Sequence, residues 1–90
     1  MNKTEFVEAV AAKADMSKSD AAVAVDAVLD SVTDALKAGE TITFVGFGTF
    51  QVRRREARQG RNPRTGDPIE IAASNMPSFK AGKALKDSVN

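Results

Sequence analysis

The chain has 90 residues with 13 basic and 12 acidic side chains, and no Cys, His or Tyr. This length supports one small domain; a disulfide frame and most metal sites are excluded, and catalysis would be left to carboxylates, Lys, Ser or Thr, so neither an enzyme nor a cofactor is expected. Of the hydrophobic residues 15 are Ala and 23 are larger, a thin core that leaves oligomerisation as the route to stability, and the lack of an apolar run of membrane-spanning length or a secretory h-region points to a soluble cytoplasmic protein.

Asn2-Lys3-Thr4-Glu5 reads as a helix N-cap with Glu at N3, followed by Phe6, Val7, Val10, Ala11 and Ala14 at helical spacing. A second cap, Ser17 with Asp20 at N3, opens a longer helix in which Ala21, Val25, Val28, Leu29, Val32 and Leu36 share a face and Gly39 supplies the stop. Asp26, Asp30 and Asp34 lie at four-residue steps away from that face. A straight row of carboxylates cannot wrap a cation, so the row reads as a solvated surface.

From Thr41 the period falls to two, and Ile42, Phe44, Phe47, Phe50 and Val52 flank Gly46 as a hairpin with an aromatic face. The 16 positions from Arg53 to Pro68 hold no Val, Ile, Leu, Met or Phe. They cannot enter a core, yet Asn62-Pro63-Arg64-Thr65-Gly66 has turn chemistry and Ile69-Glu70-Ile71 resumes alternation, which predicts a protruding two-stranded ribbon. Pro68 suits a ribbon built only of edge strands. Asn75-Met76-Pro77-Ser78 is expected to end the strand, Phe79 to cover the core, and Lys83-Ala84-Leu85-Lys86 to start a short helix, with Lys80, Lys83 and Lys86 on one face.

Charge is segregated along the chain. Residues 1–40 carry four Lys against eight acids, residues 41–90 carry nine basic residues against four acids, and six Arg against one Glu fall between Arg53 and Arg64. Guanidinium is permanently charged and forks onto phosphate or groove acceptors, so Arg53, Arg54, Arg55, Arg58, Arg61 and Arg64 suggest a polyanion-binding ribbon with Arg on both flanks. The competing reading is an edge that discourages strand pairing, which seldom needs so many arginines. Pro63 alone would be an ordinary turn residue; at an exposed tip between Arg61 and Arg64 it matches the apolar wedge of minor-groove architectural proteins. Gly46-Phe47-Gly48 lacks the third glycine of a dinucleotide loop, and Gly82-Lys83-Ala84 lacks the hydroxyl of a phosphate loop.

Three blocks together resemble a known family. Gly46-Phe47-Gly48-Thr49-Phe50, then Arg55, Arg58 and Gly60-Arg61-Asn62-Pro63-Arg64-Thr65-Gly66, and finally Gly82-Lys83-Ala84-Leu85-Lys86 are similar to the bacterial histone-like HU proteins and their relative integration host factor. The resemblance covers the whole chain. It implies an α+β subunit of an intertwined dimer: an N-terminal helical hairpin, an antiparallel three-stranded sheet with a protruding two-stranded β-ribbon arm, and a short C-terminal helix. Residues 1–90 form a single domain on this reading, with a helical dimerisation base at 1–40, the sheet at 41–74 with its arm at 53–68, and a C-terminal segment and helix at 75–90. By the same resemblance Arg53, Arg55, Arg58, Arg61 and Asn62 contact backbone and minor-groove edges, Pro63 intercalates, and Lys3, Lys80, Lys83 and Lys86 touch flanking phosphates; Arg64 is counted among the DNA-binding residues as a member of the arginine series. Asp67 and Glu70 depart from the more basic return strand of many relatives.

The expected function is that of a nucleoid-associated homodimer that binds and bends double-stranded DNA with little sequence preference and favours bent, nicked or gapped forms. Degenerate minor-groove readout makes such tolerance natural. The nearest rival is an integration-host-factor-like subunit with sequence preference and a different partner chain. A polybasic membrane module is disfavoured because the ribbon has no Trp, Phe or Leu to insert, and RNA stays open as a second partner although no run of aromatics offers a stacking surface.

Overall fold

The computed structural model describes residues 1–90, with helices α1 (Lys3–Ala14), α2 (Lys18–Lys37) and α3 (Lys83–Ser88) and strands β1 (Ile42–Phe44), β2 (Gly48–Arg55), β3 (Arg58–Arg61), β4 (Pro68–Ile71) and β5 (Ser74–Ala81). The chain divides into two compact units, Met1–Asp34 and Ala35–Asn90.

In the first unit both helix starts are made by the expected side chains. Asn2 Oδ1 accepts the Glu5 N–H at 2.9 Å and Ser17 Oγ accepts the Asp20 N–H at 3.1 Å, each satisfying a donor that the first helical turn leaves unpaired. Between them the chain reverses at Asp15, whose left-handed backbone (φ 53°) lets the Met16 N–H reach the Ala11 carbonyl at 3.0 Å. Val7, Ala11, Ala21 and Val25 are buried, and Val10, Met16 and Ala22 pack against them. The expected inner faces extend further than this core. Phe6, Val28 and Leu29 are half exposed in the single chain.

α2 stops as expected at Gly39 (φ 78°), where the Gly39 N–H donates to Leu36 and the Glu40 N–H to Ala35, the paired bonds of a Schellman motif. In the second unit the sheet order is β1-β2-β5, all antiparallel. Ile42 pairs with Phe50, Phe50 with Phe79 and Val52 with Pro77, so one face of the sheet is apolar. The rings of Phe50 and Phe79 lie 4.7 Å apart, those of Phe47 and Phe79 5.7 Å, and Phe44 meets Phe50 edge-on at 6.3 Å. Gly48 makes this packing possible: a Cβ there would stand 2.5 Å from the Phe79 ring and 2.6 Å from the Lys80 carbonyl oxygen.

Two expectations about the C-terminal stretch are corrected. Asn75-Met76-Pro77-Ser78 does not end a strand; it lies inside β5, which pairs with β2 along its full length, and Pro77 is tolerated because β5 is an edge strand. Lys80 consequently belongs to β5, opposite Thr49, and shares no helix face with Lys83 and Lys86. The helix starts only after Gly82, whose N–H donates to the Phe47 carbonyl at 2.7 Å, while the Leu85 N–H donates to Gly46 at 3.1 Å. These bonds tie the β1–β2 turn to the start of α3.

Candidate nucleic-acid interface

Strand alternation sorts the sheet residues into two chemistries. Opposite the phenylalanines, the register aligns Thr49 with Lys80, Gln51 with Ser78, Arg53 with Met76 and Arg55 with Ser74, and Thr43 with Thr49 from β1. This face carries hydroxyls, one amide and three cations. The Thr43 and Thr49 hydroxyls are 3.4 Å apart. Such a mixture suits phosphate and sugar oxygens, which are recognised by Arg, Lys, Ser, Thr and Gln alike. Thr43, Thr49, Gln51 and Ser78 were not identified from the sequence; extending β5 back to Ser74 would have placed them, since cross-strand partners share a face.

Arg54 alternates to the apolar side of β2, and its Nε lies 3.3 Å from Glu56 Oε1. Beyond it both strands of the arm leave the ladder at the same level, at Glu56-Ala57 and at Ala72-Ala73, and pairing resumes in β3 and β4. Two residues are unpaired on each strand, so the ladder resumes in the same register, Arg55 opposite Ser74 and then Arg58 opposite Ile71. Within the outer ribbon Arg58 pairs with Ile71 and Gly60 with Ile69 on one face, while Gln59 pairs with Glu70 and Arg61 with Pro68 on the other. Arg58 and Arg61 thus occupy opposite flanks, as expected.

Asn62 organises the tip. Its N–H donates to the Asp67 carbonyl at 2.8 Å, its carbonyl accepts from the Gly66 N–H at 2.7 Å, and its Oδ1 accepts from the Arg64 N–H at 2.9 Å. The Asp67 N–H donates to Thr65 Oγ1 at 3.3 Å. These bonds leave Pro63 and Arg64 exposed at the turn. Asn62, expected to read groove edges, uses its side-chain oxygen to build the loop that presents Pro63.

The lysines differ in their freedom. Lys86 is exposed, whereas Lys83 Nζ lies 2.9 Å from Asp87 Oδ2, one helical turn on. Lys3 pairs with Asp26, and that hydrogen bond, with the charges of Asp26 and then Asp30, raises the Lys3 pKa above its ordinary 10.5. The structure brings Arg53, Arg55 and Lys80 onto one sheet face and keeps Arg58, Arg61, Asn62, Pro63 and Arg64 together on the outer ribbon. Lys3 lies in the helical unit.

The family described as "Bacterial DNA-binding protein" matches residues 1–90. The chain is 64% identical over 89 residues to the DNA-binding protein HU of Xylella fastidiosa, covering 99% of this chain and 95% of that one. It is 62% identical over 90 residues to the DNA-binding protein HU-beta of Pseudomonas aeruginosa, both chains being covered completely. Among solved structures, the Anabaena HU-DNA cocrystal structure superposes with a TM-score of 0.90 at 45% identity, covering 99% of this chain and 97% of that one. HU from Thermotoga maritima gives 0.70 at 34% identity with complete coverage of both. With arm, sheet and helices all inside a match that spans its length, the chain belongs to this bacterial DNA-binding family, alongside the HU proteins.

Proposed function

We propose that two copies of this chain form a homodimer that binds double-stranded DNA and bends it, with little sequence preference, as an architectural protein of the bacterial nucleoid. The observation that carries this reading is the single polar sheet face bearing Arg53, Arg55 and Lys80, from whose strands an exposed arginine ribbon extends to Pro63. Arg53, Arg55 and Lys80 would hold phosphates over the sheet, and Arg58, Arg61 and Arg64 would follow the minor groove on the two flanks of the ribbon. Pro63 would wedge between base steps, with Asn62 holding the tip in shape. Lys83, Lys86 and Lys3 would meet flanking phosphates, Lys83 and Lys3 by exchanging a carboxylate for a phosphate.

Dimerisation is supported by how little a single copy buries. No large side chain is fully buried, and Leu29, Phe44, Phe47 and Phe79 are 43–51% exposed. An apolar surface of this kind on a chain without disulfides calls for a partner. The HU-DNA cocrystal resemblance supports DNA as the ligand. Titration of the purified chain onto straight, nicked and gapped duplexes at several salt concentrations, with light scattering and melts over a hundredfold dilution, tests both parts. The expected result is a dimer mass, a melting temperature that falls on dilution, steep salt dependence, and tighter binding to interrupted duplexes. A monomer with dilution-independent melting, or affinity indifferent to salt, would defeat the reading.

A further inference from the structure

One residue on the polar sheet face does not share its chemistry. Met76 lies opposite Arg53 and is 38% exposed. Its neighbours along the same face of β5 are Ser74 and Ser78, and the facing strand contributes Gln51, Arg53 and Arg55. The larger apolar side chains of the sheet strands, Ile42, Phe44, Phe50, Val52 and Phe79, alternate to the opposite face. A polarizable, unbranched thioether among cations and hydroxyls suits the apolar part of a ligand whose charged part the arginines hold, and a deoxyribose between phosphates has that form.

The same position makes the thioether chemically vulnerable. We infer that Met76 is an oxidation site within the DNA-binding face, and that its conversion to the sulfoxide by a hydroperoxide weakens DNA binding; this rests on the DNA-binding reading above. In the step, a sulfur lone pair attacks the terminal peroxide oxygen and the S–O bond forms as the O–O bond breaks. The departing oxyanion takes the hydroxyl proton and leaves as water or an alcohol. Sulfur is oxidised by two electrons and the peroxide is reduced by two. The product replaces a soft apolar group with a dipole whose oxygen is negative. That oxygen faces phosphate repulsion on one side and offers Arg53 a competing acceptor on the other, and both effects oppose DNA.

The two other methionines provide internal references. Met1 is 85% exposed and precedes α1, whereas Met16 packs against the helical core. Full-length protein is treated with hydrogen peroxide with and without saturating duplex, mapped by peptide mass, and assayed for duplex affinity by fluorescence anisotropy, beside Met76→Leu and Met76→Gln. Sulfoxide is expected at Met76 in the free protein, with DNA slowing its formation but not that at Met1. Treated parent should bind several-fold more weakly, treated Met76→Leu as tightly as before treatment, and untreated Met76→Gln as weakly as oxidised parent. Circular dichroism confirms that both variants fold. Equal oxidation of Met76 with and without DNA, or the same affinity loss in treated Met76→Leu, overturns the inference while leaving DNA binding intact. An untreated parent that binds no duplex overturns the underlying reading and the inference with it.

Discussion

Arg61 and Pro63 are two positions apart and should contribute different energies to the same complex. The four hydrogen bonds that close the tip run between Asn62, Arg64, Thr65, Gly66 and Asp67 and do not involve the Pro63 ring. Pro63→Ala should therefore keep the loop, losing only the preset φ, at a cost of about 0.4–1 kcal/mol of local order, while removing the wedge and no charge. Arg61 ends β3 as an exposed cation. If each arm of a dimer neutralises one phosphate through it, Arg61→Ala should flatten the plot of log affinity against log salt by about 1.8, at about 0.9 per phosphate. Between 50 and 200 mM salt the parent should then lose about twelvefold more affinity than the variant does. Bending is read by fluorescence energy transfer between duplex ends, and affinity by anisotropy across that salt range. Pro63→Ala should bend DNA less and lose most of its preference for nicked duplex at an unchanged salt slope. Parent-like bending and nick preference in Pro63→Ala would reduce the proline to a turn residue, and an unchanged slope in Arg61→Ala would remove the phosphate contact.

Gly48→Ala should destabilise the folded protein by about 1–3 kcal/mol, because its Cβ would fall 2.5 Å from the Phe79 ring; thermal melts equal to the parent's would contradict the packing. Lys83→Ala should lower the salt slope by about 1 per contact. Asp87→Asn should instead tighten DNA binding by about twofold per contact, since it releases Lys83 from an exposed i,i+4 pair worth about 0.3–0.5 kcal/mol; unchanged or weaker binding would show that the pair does not compete with DNA. For Lys3 the sign follows from a pKa raised in the folded state: the Asp26 contact is fully stabilising below the ordinary 10.5 and is lost as pH rises through the elevated value. The melting-temperature gap between parent and Lys3→Met should thus stay flat from about pH 7 to 9 and close only in strong alkali, and a gap that closes near neutrality would refute the pairing.

Most local decisions were legible along the chain because they depend on residues a few positions apart. The two N-caps, the glycine stop of α2, the aromatic hairpin and the turn at Asn62–Gly66 each follow from short-range hydrogen bonding or backbone preference. The arm was legible by exclusion, since a stretch of arginines without a large apolar residue has nowhere to go but solvent. β5 was misjudged because Pro77 reads as a breaker unless the strand is known to be an edge, and edge position is a property of the sheet order. Lys80 followed the same error.

The sequence by itself determined the elements, the segregation of charge and the family resemblance, all of which rest on periodicity, turn chemistry and motifs set by neighbouring positions. Only the tertiary structure decided which cations share a surface and which are already engaged. Cross-strand register joins Arg53 and Arg55 to Lys80 and Met76, residues more than 20 positions away, and turns Arg54 to the other side. The pairing of Lys3 with Asp26 likewise needs two helices to meet. Residues distant along the chain acquire a common face only when backbone hydrogen bonds or packing hold their segments in register, and no local pattern carries that information.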